Sequence, residues 1–103
     1  MQAKLQQFHK LLKEEQFFEA HEVLEEIWFP KRFEKDVNID ILKGFINAAV
    51  SFELLKRKRV KQSKKVWRNY LKYRTLLYKT SPTYKNHFYQ TVRFLDSLRL
   101  EKI

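Results

Sequence analysis

Cysteine is absent from the 103 residues, so neither a disulfide framework nor a thiolate metal site is available to this chain. Glycine and proline are nearly absent: Gly44 is the only glycine, and Pro30 and Pro82 are the only prolines. A β-rich domain of this size needs many tight turns, and turns need those residues. Their scarcity predicts a few long helices joined by short links. Long apolar runs are missing too. The longest uncharged stretch, 44-GFINAAVSF-52, is too short to span a bilayer, and MQAKLQQFHKLLKEE at the start has neither the length nor the apolarity of a signal peptide or a membrane anchor. The expectation is a cytoplasmic protein without a membrane partner. No glycine-rich phosphate loop, no Ser–His–Asp constellation and no ribonucleoprotein motif occurs. No catalytic residue can therefore be named, and whether the chain is an enzyme is left open. A hydrolase using Glu25 as general base ranks behind the two readings developed below.

Acid is missing from one long stretch. Residues 56–79 carry eleven Lys/Arg and no Asp or Glu, whereas residues 1–40 carry six Lys/Arg against nine acids, a net of −3. The whole chain has a net charge of +10. Such asymmetry is either a solvated helix surface or a face that meets an anion.

What is present is hydrophobic content of 44%, with 16% aromatic residues, enough for one core in one domain spanning 1–103. Apolar spacing gives five helices, at about 2–14, 17–28, 39–57, 62–79 and 82–99, with 30–38 as the most loop-like stretch. Asn38 or Asp36 is expected to cap the third helix, and Ser81 followed by Pro82 to start the fifth. Short links make neighbouring helices antiparallel, so the predicted fold is an all-α, up-and-down bundle. The third helix is apolar nearly all the way round and belongs at the centre. Gly44 lies inside it at a cost of about 1 kcal/mol against alanine, which predicts a close approach by a neighbouring backbone.

The second helix poses a chemical question. Phe17, Ala20, Leu24, Ile27 and Trp28 form its apolar stripe, and His21 falls inside that stripe. Glu25, at i+4 from His21, shares its flank, while Glu19, Glu22 and Glu26 point elsewhere. Glu53, the only carboxylate inside the third helix, sits on an apolar stripe and needs a partner. His21, Glu25 and Glu53 therefore make a candidate cluster. It is either a hydrogen-bonded tie between helices or a site for a divalent transition metal such as Zn, Mn, Fe or Ni, which imidazole and carboxylate suit. The spacing is not that of a zinc protease, because Glu25 stands where the second histidine of HExxH would be.

The stretch 18-FEAHEVLEEIW-28 closely resembles the start of a family of small helical proteins, domain-of-unknown-function family 309. Its hallmark, HxxxExxW, is matched by His21, Glu25 and Trp28. A second block, 42-LKGFINAAVSFE-53, is similar to that family at Leu42, Gly44, Ile46 and Ala49. The resemblance covers about residues 5–65. It implies an all-helical fold and a metal-binding motif, and it implies no particular activity. Lys43 and Asn47 stand where the family often has glutamine, and Glu53 where it often has histidine. Trp28 and Asn47 are on this account added to the candidate site.

The predicted fourth helix has two faces. Trp67, Tyr70, Leu71, Arg74, Leu77 and Tyr78 share one side, where helical spacing assigns the aromatics to the core first. Lys61, Lys65, Arg68, Lys72 and Lys79 form a positive stripe on another. A nucleic-acid backbone would match it, as would an acidic protein partner, and this is the alternative to the leading reading, a divalent-metal site on His21, Glu25 and Glu53.

Overall fold

A computed structural model describes residues 1–102. Five helices follow in order: α1 (Gln2–Lys13), α2 (Phe17–Trp28), α3 (Val37–Lys56), α4 (Val60–Arg74) and α5 (Pro82–Lys102). Two short 3-10 turns, Phe29–Lys31 and Leu77–Lys79, follow α2 and α4. No strand occurs among the described residues. No helix among them is long and apolar enough to cross a membrane.

The centre of the bundle is α3, whose Ile39, Ile41, Leu42, Phe45, Ala48, Ala49 and Phe52 are all buried. It packs chiefly against α4 and α2, and α1 lies on α2 and α5. Phe45 links three helices, with ring centroids 6.4 Å from Phe8 of α1 and 5.9 Å from Phe88 of α5. The crossing of α3 and α4 is close for two reasons. A Cβ added to Gly44 would lie 2.5 Å from the Cβ and 3.8 Å from the Cα of Tyr73, so only glycine lets α4 come this near. Further along, Ser51 and Ser63 donate hydroxyl hydrogen bonds to each other's carbonyls at 2.9 and 2.8 Å in a fully buried reciprocal pair. Two small polar residues thus satisfy themselves where a large side chain would hold the helices apart.

Helix ends follow local chemistry. The Asp36 carboxylate accepts from the Asn38 N–H at 2.9 Å and caps α3, and Asn38 Oδ1 accepts from the Ser81 N–H at 3.0 Å, tying the start of α3 to the start of α5. With no glycine available, α1 and α3 end on Glu15 (φ 57°) and Lys58 (φ 63°) in the left-handed region. The N–H of Gln16 reaches the Leu11 carbonyl and that of Arg59 the Leu54 carbonyl, the Schellman closure usually built on glycine.

The fourth helix is shorter than the apolar spacing predicts. It stops at Arg74, and Lys79 lies in the following 3-10 turn, outside the helical stripe to which the sequence pattern assigned it. Thr75 supplies a reason: its hydroxyl donates to the Lys72 carbonyl at 2.7 Å, a local bond that competes with the helical ladder.

His9 is half-buried at the α1–α5 contact. Its ring lies 5.3 Å from that of Phe94 at 8°, and Nε2 is 2.8 Å from the Thr91 hydroxyl. That hydroxyl donates to the His87 carbonyl at 2.9 Å, so it accepts from His9, and Nε2 carries the proton. Burial, and secondarily the charge of Lys13, push the His9 pKa below its ordinary 6.5. The unfolded chain therefore binds the extra proton more readily than the folded one. This group's contribution to stability is present above about pH 6.5 and is lost as pH falls through the lowered folded value. Melting temperature is expected to drop between pH 7.5 and 5.5. His9→Gln, whose amide can still donate to Thr91, is expected to flatten that drop; an unchanged pH profile in the variant would show that His9 is not the group responsible.

Candidate functional site

His21 and Glu25 meet as the sequence spacing predicts. Nε2 of His21 lies 2.9 Å from Glu25 Oε2, with the two side chains 19% and 44% exposed. Nδ1 lies 2.8 Å from the Phe18 carbonyl. A carbonyl only accepts, so Nδ1 carries a proton. An ionised Glu25 also only accepts, so the pair is complete when Nε2 is protonated as well. A metal ion bound at Nε2 would have to replace that second proton. The Nδ1 anchor is the kind of outer contact that orients a metal-ligating imidazole.

Glu53 is not part of this pair. Its carboxylate instead accepts from Arg57 Nε at 3.3 Å, again at i, i+4. The two acids also face different hollows. His21 and Glu53 line a groove of about 260 Å³ between α2 and α3 with Phe17, Phe18, Val50 and Arg57. Glu25 lines a neighbouring hollow with Glu22, Glu26 and Phe29. Among the described residues no group of three or more His, Cys, Asp or Glu is placed to hold a metal. The donor set that the structure assembles is two, one fewer than a catalytic zinc site uses.

Trp28 and Asn47 lie outside the groove that His21 lines. Trp28 is half-buried against the core, with Lys43 Nζ 4.5 Å above its ring. Asn47 donates to the Lys43 carbonyl at 2.8 Å and lies 3.5 Å from the amide of Asn69 on α4. Lys43 thus answers for both residues: its ammonium covers the indole and its carbonyl holds the amide. Trp28 meets Lys43 across the α2–α3 contact and Asn47 meets Asn69 across the α3–α4 contact, so both residues make interhelical contacts.

The basic stripe is a different case. Lys61, Lys65, Arg68 and Lys72 are all exposed on α4, and Lys79 is exposed beyond its end. The spacing i, i+4, i+7, i+11 holds the four α4 residues within roughly 60° of one another over about 16 Å of helix. Among the described residues none of the five forms an ion pair with a carboxylate, whereas Lys4, Arg57, Arg74 and Lys102 all do. The opposite side of α4 is core: Trp67 and Tyr70 are buried, with ring centroids 4.6 Å apart. Helical spacing assigns these two aromatics to the core, and both lie there. Tyr78, grouped with them by the same spacing, is 70% exposed. The Tyr70 hydroxyl donates to Asp96 at 3.0 Å, and Arg74 bonds the other Asp96 oxygen at 2.9 Å. Burial first, and Asp96 second, push the Tyr70 pKa far above the usual phenol range, so it remains a donor.

The profile of the family described as a domain of unknown function (DUF309) matches residues 5–66. No curated protein and no solved structure matches the chain. The matched span holds α1 from Leu5 onward, α2 and α3 with the His21–Glu25 pair, and the first half of α4, up to just beyond Lys65.

Proposed function

We propose that this chain, which belongs to the family described as a domain of unknown function (DUF309), binds the phosphate backbone of nucleic acid along α4. The observation that carries the reading is the exposed row Lys61, Lys65, Arg68 and Lys72, which has no carboxylate partner among the described residues. Four aligned cations on a rigid helix, set on a bundle whose first forty residues are net acidic, present one positive side to a polyanion. The core aromatics behind the row fix the helix in place and leave its outer face free. Binding by four phosphate contacts has a steep salt dependence. Affinity for a fluorescein-labelled single strand is expected to fall roughly 50-fold between 50 and 200 mM salt, since each contact adds about −0.7 to the log–log slope. Anisotropy titrations at those two salt concentrations check it. No binding at 50 mM removes the reading, and equal binding to an acidic polypeptide would turn it into a protein-partner surface.

The second reading is a divalent transition metal (Zn, Mn, Fe or Ni) on His21 and Glu25. What favours it is the Phe18 carbonyl anchoring Nδ1 and so directing Nε2 toward a carboxylate. Glu53 is the remaining ligand within reach of the same groove, and it would have to exchange Arg57 for the ion. Protein purified without a histidine tag is expected to gain thermal stability with one of these ions, and His21→Ala to lose that gain. No shift with any of the four would leave the pair as a structural hydrogen bond.

A further inference from the structure

Beyond the end of α4 lies an open surface hollow of about 580 Å³, formed where the 74–79 segment meets the first turns of α5. Its size suits a nucleotide-sized ligand. Tyr78 and Tyr89 line it and are 70% and 51% exposed. Phe18, Phe29 and Phe33 are exposed too, but Tyr78 and Tyr89 are the exposed aromatics that share this hollow. Cations accompany them: Lys79 Nζ lies 5.7 Å from the Tyr78 ring and the Arg93 guanidinium 5.9 Å from the Tyr89 ring. Lys85 and Arg74, the latter paired with Asp96, line the hollow, and no carboxylate does. Lys85 donates to the Tyr78 carbonyl at 3.0 Å, which fastens the turn to α5 and keeps its own charge at the wall of the hollow. Asn86 adds an amide able to donate and accept.

The hollow continues the α4 row. Thr75, three residues after Lys72 and at a similar angle about the helix axis, is part of its wall. A strand whose phosphates follow Lys61 to Lys72 reaches the hollow at its end. We propose that this hollow takes unpaired bases of single-stranded nucleic acid, stacked on Tyr78 and Tyr89, and so makes the chain a single-strand binder. Paired bases in a duplex have no free faces to offer these rings, and every unpaired base has one. The proposal rests on the backbone reading of α4 and adds to it the choice of strand.

The test uses the full chain, a fluorescein-labelled oligothymidylate twelve-mer and inorganic polyphosphate, which has the charge and lacks bases. Tyr78→Leu/Tyr89→Leu is expected to weaken oligothymidylate binding at least about 5-fold, since each stacked base is worth that much or more. Tyr78→Phe/Tyr89→Phe keeps both ring faces and is expected to bind as the unchanged protein does. Polyphosphate affinity is expected to be the same in all three proteins. Circular dichroism melting confirms that the variants fold. If the leucine pair binds oligothymidylate as tightly as the unchanged protein, stacking is refuted while the α4 reading stands. If polyglutamate or a twelve-pair duplex competes as well as the single strand, the surface reads charge alone and the proposal fails. If neither oligothymidylate nor polyphosphate binds at 50 mM salt, the reading of α4 falls together with this one.

Discussion

Phe45→Ala is expected to cost about 3–5 kcal/mol of folding stability, the range for a fully buried phenylalanine cut to alanine. Phe45 is completely buried at the middle of α3. Its ring is stacked on Phe8 at 26° and tilted against Phe88 at 57°, so one side chain joins α1, α3 and α5. Removing it leaves a void bounded by three helices. Closing that void would require all three to move, and α3 is pinned on its other side by the Gly44–Tyr73 approach and the Ser51–Ser63 pair. Relaxation is therefore small and the cavity penalty large. A domain of this kind has a total stability of about 5–15 kcal/mol, so the substitution removes a large share of it. Urea denaturation followed by far-ultraviolet circular dichroism measures the loss from the midpoint. A loss under about 1 kcal/mol would show that the three rings do not share one core.

The helices were legible because their causes lie within a few residues. The all-round apolar pattern of α3 placed it at the centre, where Ile41, Leu42, Phe45, Ala48 and Ala49 have no exposure. Gly44 was expected to admit a neighbour, and Tyr73 is that neighbour. The end of α4 was not legible from apolar spacing, because Leu77 and Tyr78 continue the period while Thr75 takes the Lys72 carbonyl. The site divides in the same way. His21 and Glu25 are one helical turn apart, and sequence alone pairs them. Glu53 lies on an apolar stripe where a carboxylate needs a partner, and the sequence offers His21 for it. It does have one, but the partner is Arg57, also one turn away. The i, i+4 rule that found the first pair finds the second too, and a local partner forms at less entropic cost than one on another helix. The hollow at Tyr78 and Tyr89 depends on how the chain turns between α4 and α5. No periodicity encodes that, and only the exposure of two aromatics distinguishes them from core.

Replacing Lys61, Lys65, Arg68 and Lys72 together by glutamine is the functional change with the largest expected effect. Each phosphate contact contributes roughly 1 kcal/mol at 0.1 M salt through counterion release, so four contacts are worth on the order of 10²- to 10³-fold in affinity. The slope of log affinity against log salt is expected to shrink by about 3 for a single strand. Folding is expected to be unaffected. All four side chains are exposed, glutamine is nearly as good a helix former as lysine or arginine, and the removal of clustered like charge relieves repulsion along α4. Net charge by itself must be separated from position, because the chain would go from +10 to +6. Lys10, Lys13, Lys31 and Lys35 supply the control: they are exposed, lie in the acidic first forty residues, and their replacement by glutamine removes the same amount of charge from elsewhere on the molecule. A large loss with the α4 variant and a small one with the control places the polyanion on α4. Equal losses would mean that the protein's overall field attracts the strand and that the row on α4 is a solvated surface like any other.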